Sequence, residues 1–198
     1  DLAACYGQER LPRYTSYPTA PHFSAAIGPG RYAEWLKAIP QHATTSLYLH
    51  VPFCRSMCWY CGCNTSVVRR DDPIAVYAAA LRCEIDLVAR QIDRRIKVDH
   101  IHFGGGTPTI MAPETFTDLM SSIRQSFFVL PSAEIAVEID PRTLSLQMID
   151  ALAFAGVNRA SLGVQSFDPV VQRAINRVQS FEETAAATEG LRRAGISG

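Results

Sequence analysis

The sequence lacks a surplus of charge of either sign. Its 19 basic side chains are matched by 19 acidic ones, which gives a formal net charge of zero at neutral pH. Domains that bind nucleic acid or anionic membrane surfaces usually carry a basic excess. We therefore expect neither nucleic acid nor a membrane as a partner.

Long hydrophobic runs are also missing. The apolar runs have the length of β-strands, whereas a membrane-spanning helix needs about 20 consecutive apolar residues. The first residues do not form the charged and then apolar segment that is typical of export. We expect a cytoplasmic protein, and in that reducing compartment clustered thiols are more often metal ligands or catalysts than disulfides.

The cysteines, by contrast, are concentrated. Four of the six lie within the ten residues Cys54–Cys63, directly after an apolar stretch. The Cys-x3-Cys-x2-Cys spacing of Cys54, Cys58 and Cys61 suits three corners of a [4Fe-4S] cluster and leaves the fourth iron open. Because an open iron can bind a substrate or cofactor, this spacing favours chemistry over electron storage.

Two other kinds of site compete with this interpretation. A structural zinc site usually draws its Cys or His ligands from two separated pairs, and the sequence offers no second pair at a suitable spacing. A closed cluster with four cysteine ligands would only carry electrons, and the Cys61-Gly62-Cys63 spacing makes it awkward for both thiols to reach one cube. We therefore predict three cysteine ligands, with Cys63 outside the ligand set.

The other two cysteines, Cys5 and Cys83, stand apart from this cluster. Cys83 shares a helical stripe with Val76, Ala80 and Leu87. This pattern predicts a buried structural thiol.

The order of strand and helix patterns predicts the fold. Residues 1–45 carry five prolines and little periodicity apart from a helical patch near Arg31–Ile39, which predicts an irregular N-terminal arm. We predict strands at Ser46–Phe53, His100–Gly104, Glu134–Asp140 and Arg159–Phe167. We predict helices that start at Asp72-Pro73, Pro113, Ser145, Asp168-Pro169 and a Ser180/Glu183 capping box, the third ending at Gly156 and the last at Gly195.

Four strand–helix units in succession indicate an α/β fold of parallel strands with right-handed crossovers. A complete eight-unit (β/α) barrel needs about 200 to 250 residues. We therefore predict for residues 46–198 a partial barrel with helices outside, truncated after about four units. We hypothesise that the chain is the N-terminal piece of a longer protein.

Apolar residues alternate with polar ones in these strands, although parallel strands covered on both faces are usually apolar throughout. Tyr48, His102, Glu138 and Gln165 fall on the polar face. Buried polar side chains need partners. This pattern favours a ligand cavity over a water-filled, purely structural interior.

The unusual residues fall where strands end, which is where α/β barrels place their active sites. Gly104–Pro108 forms either a tight turn or a bare backbone edge that a ligand can approach, and it does not match the phosphate-binding glycine patterns. Glu138 is either a salt-bridge partner, for instance of Arg142, or an acceptor for ribose hydroxyls. Gln165 is either a core amide or an adenosine contact, and Arg177 alone is more often a solvated charge.

These motifs resemble those of the radical S-adenosylmethionine enzymes, which combine Cys-x3-Cys-x2-Cys after the first barrel strand with Gly-Gly-Thr-Pro after the second. More narrowly, they resemble the family of oxygen-independent coproporphyrinogen III oxidases. The stretches that carry this resemblance are Pro12–Thr19, Tyr48–Cys63, Val137–Arg142, Leu162–Phe167 and Ile175–Arg177. The additional Cys63 favours these oxidases over the related haem-binding proteins, which usually carry an aromatic residue there.

The resemblance implies the site. Cys54, Cys58 and Cys61 would bind the [4Fe-4S] cluster, and Cys63 would be a non-ligating residue needed for activity. The residues implied to contact S-adenosylmethionine, of which the family binds two molecules, are Tyr48, Tyr60, Gly105, Gly106, Thr107, Glu138, Gln165 and Arg177.

The resemblance also implies the reaction. An electron from the cluster would cleave S-adenosylmethionine, and the resulting radical would start the decarboxylation of two propionates of coproporphyrinogen III to give protoporphyrinogen IX. A flavodoxin-type reductant would donate the electron, and we expect a monomer. The alternative is a haem-binding or haem-trafficking protein on the same scaffold, and the fragment by itself is expected to be inactive if the missing half holds the substrate.

Overall fold

The computed structural model describes residues 22–198, so the predictions for Cys5 and for the stretch 12–19 lie outside the described residues. Within that part of the chain the helices are α1 Pro29–Lys37, α2 Asp72–Ile92, α3 Pro113–Ser126, α4 Leu146–Phe154, α5 Pro169–Ala174 and α6 Phe181–Arg193. The strands are β1 Thr44–Val51, β2 Phe53–Cys54, β3 Ser66–Val67, β4 Lys97–Gly105, β5 Phe128–Ile139 and β6 Arg159–Leu162.

The main sheet has four parallel strands in the order β1-β4-β5-β6. The register places Val51 opposite Gly105 and Glu138 opposite Ser161. Because each strand lies beside the next one along the chain and a helix connects them, the architecture is an incomplete β/α barrel. The predicted fold class is confirmed.

The two faces of the sheet differ in burial. Leu49, Val51, Phe103 and Val137 are buried against helices, and burying each such side chain contributes about 1.5–3 kcal/mol. Side chains one residue along the strands point to the opposite, polar face. The alternation in the sequence therefore separates a packed face from a face that lines the interior of the barrel.

Three of the side chains predicted to start helices do so, whereas the N-cap of α2 is Asp71 and not the predicted Asp72. Ser145 Oγ accepts a hydrogen bond from Met148 N at 3.1 Å, and Asp168 Oδ1 accepts one from Val170 N at 2.7 Å. Ser180 and Glu183 form the predicted capping box. Such caps satisfy amide groups that have no partner within the helix. Among residues 22–198 no helix is long and apolar enough to cross a membrane.

The prediction for Cys83 is wrong. Its side chain is exposed, as are Val76 at 71% and Leu87 at 52%. The buried stripe of α2 instead runs through Ile74 and Leu81. Val76 follows Ile74 by two residues, which is more than half a turn at 3.6 residues per turn, so the stripe that contains Cys83 faces away from the sheet.

The predicted fourth strand is too long. It was expected to reach Phe167, but β6 ends at Leu162. Gln165 adopts a left-handed backbone with φ of 65°, which lies outside the extended region that regular strand residues occupy. The strand conformation therefore does not continue to Phe167.

Candidate active site

A cavity of about 310 Å³ lies at the carboxyl ends of the four main strands. Of the predicted site residues, it is lined by Cys54, Cys58, Cys61, Cys63, Tyr60, Gly105, Gly106, Thr107, Glu138, Gln165 and Arg177. These residues come from five separate segments of the chain. Parallel strands place their carboxyl ends at one edge, and this geometry brings the segments together.

The cysteine loop is attached to the barrel by a small second sheet. β2 and β3 pair in parallel, with Cys54 opposite Val67. Thr107 N donates to Phe53 O at 2.8 Å and joins the loop to the glycine segment. This sheet could not be predicted from the sequence because strands of two residues carry no periodicity.

Two of the thiols sit among polar groups. Cys54 Sγ lies 3.4 Å from Thr107 Oγ1 and 3.5 Å from Thr65 Oγ1. Cys58 Sγ lies 3.5 Å from Arg177 Nη1 and 4.0 Å from Arg142 Nη2. Hydroxyl and guanidinium donors stabilise thiolates, and thiolates rather than thiols bind iron.

The donor set fits an iron–sulfur cluster better than a single ion. Cys54, Cys58 and Cys61 are half-buried, and all three line the same cavity. Over residues 22–198, no three His, Cys, Asp or Glu side chains are gathered as one metal ion requires. Each iron of a four-iron cube takes its own thiolate, so the thiols of a cluster stand farther apart than the ligands of one ion.

Cys63 differs from these three residues. It is exposed, yet partial burial of the thiol raises the pKa of Cys63, and the neighbouring Cys61 raises it further. Cys63 nevertheless lines the same cavity as the three predicted ligands.

Three consecutive residues at the end of α5 hold three consecutive residues of the cysteine loop. Ile175 O accepts from Trp59 N at 3.0 Å, and Asn176 Nδ2 donates to Met57 O at 2.7 Å. The third contact joins Arg177 to Cys58, as described above. Asn176 has a positive φ of 54°, which turns its side chain and the carbonyl of Ile175 toward the loop. No local pattern in the sequence predicts this clamp, because its two halves lie more than 100 residues apart in the chain.

Arg177 is more deeply buried than a solvated charge, with 7% of its surface exposed. Its Nη2 donates to Gly163 O at 2.6 Å and to Asp140 Oδ1 at 3.3 Å. Its Nε donates to Gln179 Oε1 at 3.2 Å. These bonds compensate the cost of burying the charge and fix the guanidinium at the cavity wall.

Arg142 pairs with Asp140 and not with Glu138 as considered from the sequence. Burial alone would raise the pKa of Asp140, but the hydrogen bonds from Arg142 and the charges of Arg177 and Arg142 outweigh burial and lower it. Hydrogen bonding to Asp140 raises the pKa of Arg142. Both groups are therefore charged at neutral pH.

Glu138 is oriented by two neighbours. Its Oε2 accepts from Gly105 N at 3.1 Å, and its Oε1 lies 3.3 Å from His102 Nε2. Its side chain remains 43% exposed, so the carboxylate keeps acceptor capacity for a ligand. A carboxylate held in this way at a cavity wall suits hydroxyl recognition.

Tyr48 is the one predicted site residue that does not line the cavity. Its ring stacks on His102 at 5.7 Å, and its hydroxyl lies 3.0 Å from His50 Nδ1. Partial burial is the main cause that raises the pKa of Tyr48, and the charges of Glu138 and Cys63 raise it further. Tyr48 thus contacts His102, which in turn lies beside Glu138.

The glycine segment is bare because side chains would collide there. A Cβ on Gly105, whose φ is 115°, would lie 2.7 Å from His50 Cε1. A Cβ on Gly106 would lie 2.5 Å from both Phe53 O and Thr65 Oγ1. Only glycine allows the backbone to approach the cysteine loop this closely.

This fold and this cavity define a class of protein. The family model of the radical SAM superfamily matches residues 48–198, and the chain belongs to that superfamily. The family implies a [4Fe-4S] cluster and S-adenosylmethionine as cofactors.

Curated proteins with similar sequences indicate which members of the superfamily this chain resembles. The chain is 72% identical over 198 residues to the oxygen-independent coproporphyrinogen III oxidase of Bradyrhizobium diazoefficiens, covering all of this chain and 44% of that relative. It is 40% identical to the corresponding Escherichia coli protein, covering 94% of this chain and 40% of the relative. The chain thus spans less than half the length of these curated relatives.

Two solved structures are similar in fold to this chain. The coproporphyrinogen III oxidase HemN from Escherichia coli, described as a radical SAM enzyme, superposes with a TM-score of 0.87 and 38% identity, covering all of this chain and 44% of the other. The structure of anSMEcpe with bound AdoMet and a peptide has a TM-score of 0.55 at 15% identity, covering 78% of this chain and 42% of the other. The second likeness concerns the fold alone.

Proposed function

We propose that the chain provides the cluster and S-adenosylmethionine sites of an oxygen-independent coproporphyrinogen III oxidase, an oxidoreductase of porphyrin and haem biosynthesis. The observation that carries this proposal is the convergence of Cys54, Cys58 and Cys61 with the glycine segment and Glu138 on one cavity. The 72% identity to a relative of that name supports the choice of reaction within the superfamily.

In this proposal Cys54, Cys58 and Cys61 would hold the cluster. Together with S-adenosylmethionine, a bound cluster would supply the one-electron radical chemistry that the oxidative decarboxylation of the propionate side chains of coproporphyrinogen III requires. The clamp at Ile175–Arg177 holds the loop in place during this chemistry. A preorganised site does not have to rearrange as charge develops.

The remaining cavity residues orient S-adenosylmethionine. Glu138, oriented by Gly105 N and His102, accepts hydrogen bonds from ribose hydroxyls. The bare backbone of Gly105 to Thr107 lets amide and carbonyl groups approach the methionyl end. We assign adenosine or methionyl contacts to Tyr60, Gln165 and Arg177. Tyr48 would support the same cofactor through His102, which lies beside Glu138.

Other parts of the proposal extend beyond the cavity. Cys63 is a non-ligating residue that is needed for activity. A second S-adenosylmethionine, coproporphyrinogen III and a flavodoxin-type electron donor would bind the whole protein, acting as a cytoplasmic monomer. We propose residues 46–198 as the barrel domain and residues 1–45 as an N-terminal arm, although β1 begins two residues before that boundary, at Thr44.

Anaerobic turnover tests the proposal. The full-length protein, reconstituted with iron and sulfide, is incubated with coproporphyrinogen III, S-adenosylmethionine and a strong reductant, and porphyrinogens and methionine are quantified. Cys58→Ser is expected to lose both the broad cluster absorbance and methionine release. Cys83→Ser, an exposed thiol on α2, is the matched control and should keep both.

Two results would contradict the proposal. A wild-type protein that binds zinc and shows no cluster absorbance would exclude radical chemistry. A protein that carries the cluster but binds haem stoichiometrically and forms no protoporphyrinogen would indicate the haem-trafficking alternative.

A further inference from the structure

Two guanidinium groups from distant parts of the chain face the same cysteine. Arg142 follows β5 and Arg177 follows α5, yet both direct an Nη atom toward Cys58 Sγ. A buried guanidinium group needs a partner that compensates its charge. The carboxylate that pairs both of them is Asp140.

Asp140 fixes Arg142 with several bonds. Arg142 Nε donates to Asp140 Oδ1 at 2.9 Å, Arg142 Nη2 donates to Oδ2 at 2.5 Å, and the backbone N of Arg142 donates to Oδ1 at 3.1 Å. This forked arrangement leaves the guanidinium little freedom to turn away. Its remaining contact on Nη2 is Cys58 Sγ, at 4.0 Å.

The charges of this group do not cancel. Two guanidinium groups share one carboxylate, so one positive charge is left next to Cys58. The side chains of Arg142, Asp140 and Arg177 are only 18%, 12% and 8% exposed. Burial of this degree reduces screening by water, so the surplus charge acts strongly on its neighbours.

We propose that Arg142, held by Asp140, is a positioning residue that raises the reduction potential of the cluster bound through Cys58. This inference rests on the proposed function. Reduction adds one electron from a low-potential donor to the cluster and makes it more negative, while no bond is broken. A fixed positive charge and an N–H directed at a ligating sulfur both favour the reduced state.

Arg142 is the more informative member of the pair because Arg177 is also assigned to the cofactor. A purely structural role for Arg142 would be to hold the short 3₁₀ turn at Pro141–Thr143. That role predicts a change in stability without a change in potential. The reduction potential therefore separates the two roles.

The test is a redox titration of the cluster-loaded protein, with the reduced cluster followed by electron paramagnetic resonance and iron counted per chain. Arg142→Gln is compared with wild type and with Arg159→Gln. Arg159 is a matched control because its guanidinium pairs with Glu134 at 3.0 Å on the exposed surface, at the start of β6 and away from the cysteine loop.

We expect Arg142→Gln to make reduction at least tenfold less favourable, a shift of at least about 59 mV to more negative potential for one electron. Arg159→Gln should match wild type. Arg142→Lys, which keeps the charge but loses the fork, should shift in the same direction by a smaller amount.

Equal potentials for Arg142→Gln and Arg159→Gln at equal iron content would overturn the inference. If Arg142→Gln does not retain iron, Arg142→Lys decides, and a wild-type potential in that variant overturns it as well. An unshifted potential leaves the proposed function standing. A wild-type protein without any cluster signal would instead contradict the proposed function itself.

Discussion

Gly106 is the point at which the glycine segment touches the cysteine loop, so Gly106→Ala tests how the site is assembled. The added Cβ would lie 2.5 Å from Phe53 O and 2.8 Å from Phe53 C. Both atoms belong to the backbone and cannot rotate away. Because ordinary carbon contacts begin near 3.4 Å, the two segments must separate by roughly an ångström.

The loss of stability expected for Gly106→Ala follows from the hydrogen bonds at this contact. Thr107 N donates to Phe53 O at 2.8 Å, and Gly106 N donates to Val51 O at 2.9 Å. Overpacking costs about 1–3 kcal/mol, and each weakened hydrogen bond costs about 1 kcal/mol. We expect a loss of about 3 kcal/mol in the free energy of unfolding, or a fall in Tm of about 6–12 °C for a chain of this size.

Thermal unfolding of the cluster-free protein measures this loss, and iron content after reconstitution measures the effect on the site. Because Phe53 precedes Cys54, we expect lower iron content as well. Gly62→Ala is the matched control, since a Cβ there meets nothing within 4 Å. Equal Tm and equal iron content for the two variants would refute the account of the glycine segment.

Three further predictions concern the clamp, the buried carboxylate and the fourth thiol. Asn176→Gly keeps the left-handed backbone but removes the hydrogen bond to Met57 O. We expect this variant to lose about 1 kcal/mol in the free energy of unfolding and to release iron to a chelator faster than wild type. An unchanged rate of iron release would contradict the role of the clamp. The lowered pKa of Asp140 means that its stabilisation is complete well above 3.8 and is lost as the pH falls through the depressed value. Urea unfolding should therefore show a shallower acid loss of stability for Asp140→Asn than for wild type, and identical acid profiles for the two proteins would contradict this. Cys63→Ser should retain iron and lose turnover, and loss of iron would identify Cys63 as a ligand.

Much of the fold follows from local patterns in the sequence. The period of apolar residues predicted the strand–helix order, and Ser145, Asp168 and Ser180 start helices as their side chains suggest. Local patterns failed where two choices of helix face were similar in composition. Cys83 lies on an alanine-rich side of α2 that carries enough apolar residues to suggest burial, yet Ile74 and Leu81 on the other side face the sheet.

The candidate site was predictable to the extent that it depends on strand ends. Parallel strands gather their carboxyl ends at one edge, so the cysteine loop, the glycine segment and Glu138 could be expected to meet. The partners of individual side chains could not. Glu138 was considered as a partner of Arg142, but adjacent strands place His102 beside it, and Asp140 takes the arginine.

The sequence by itself determined the thiol spacing, the alternation of the strands and the family. These depend on distances along the chain and on backbone preferences of single residues. Only the tertiary structure decided what surrounds the thiols. Arg142 and Arg177 reach Cys58 from 84 and 119 residues away, and such contacts depend on strand register and on the left-handed turn at Asn176, neither of which is encoded by any one segment alone.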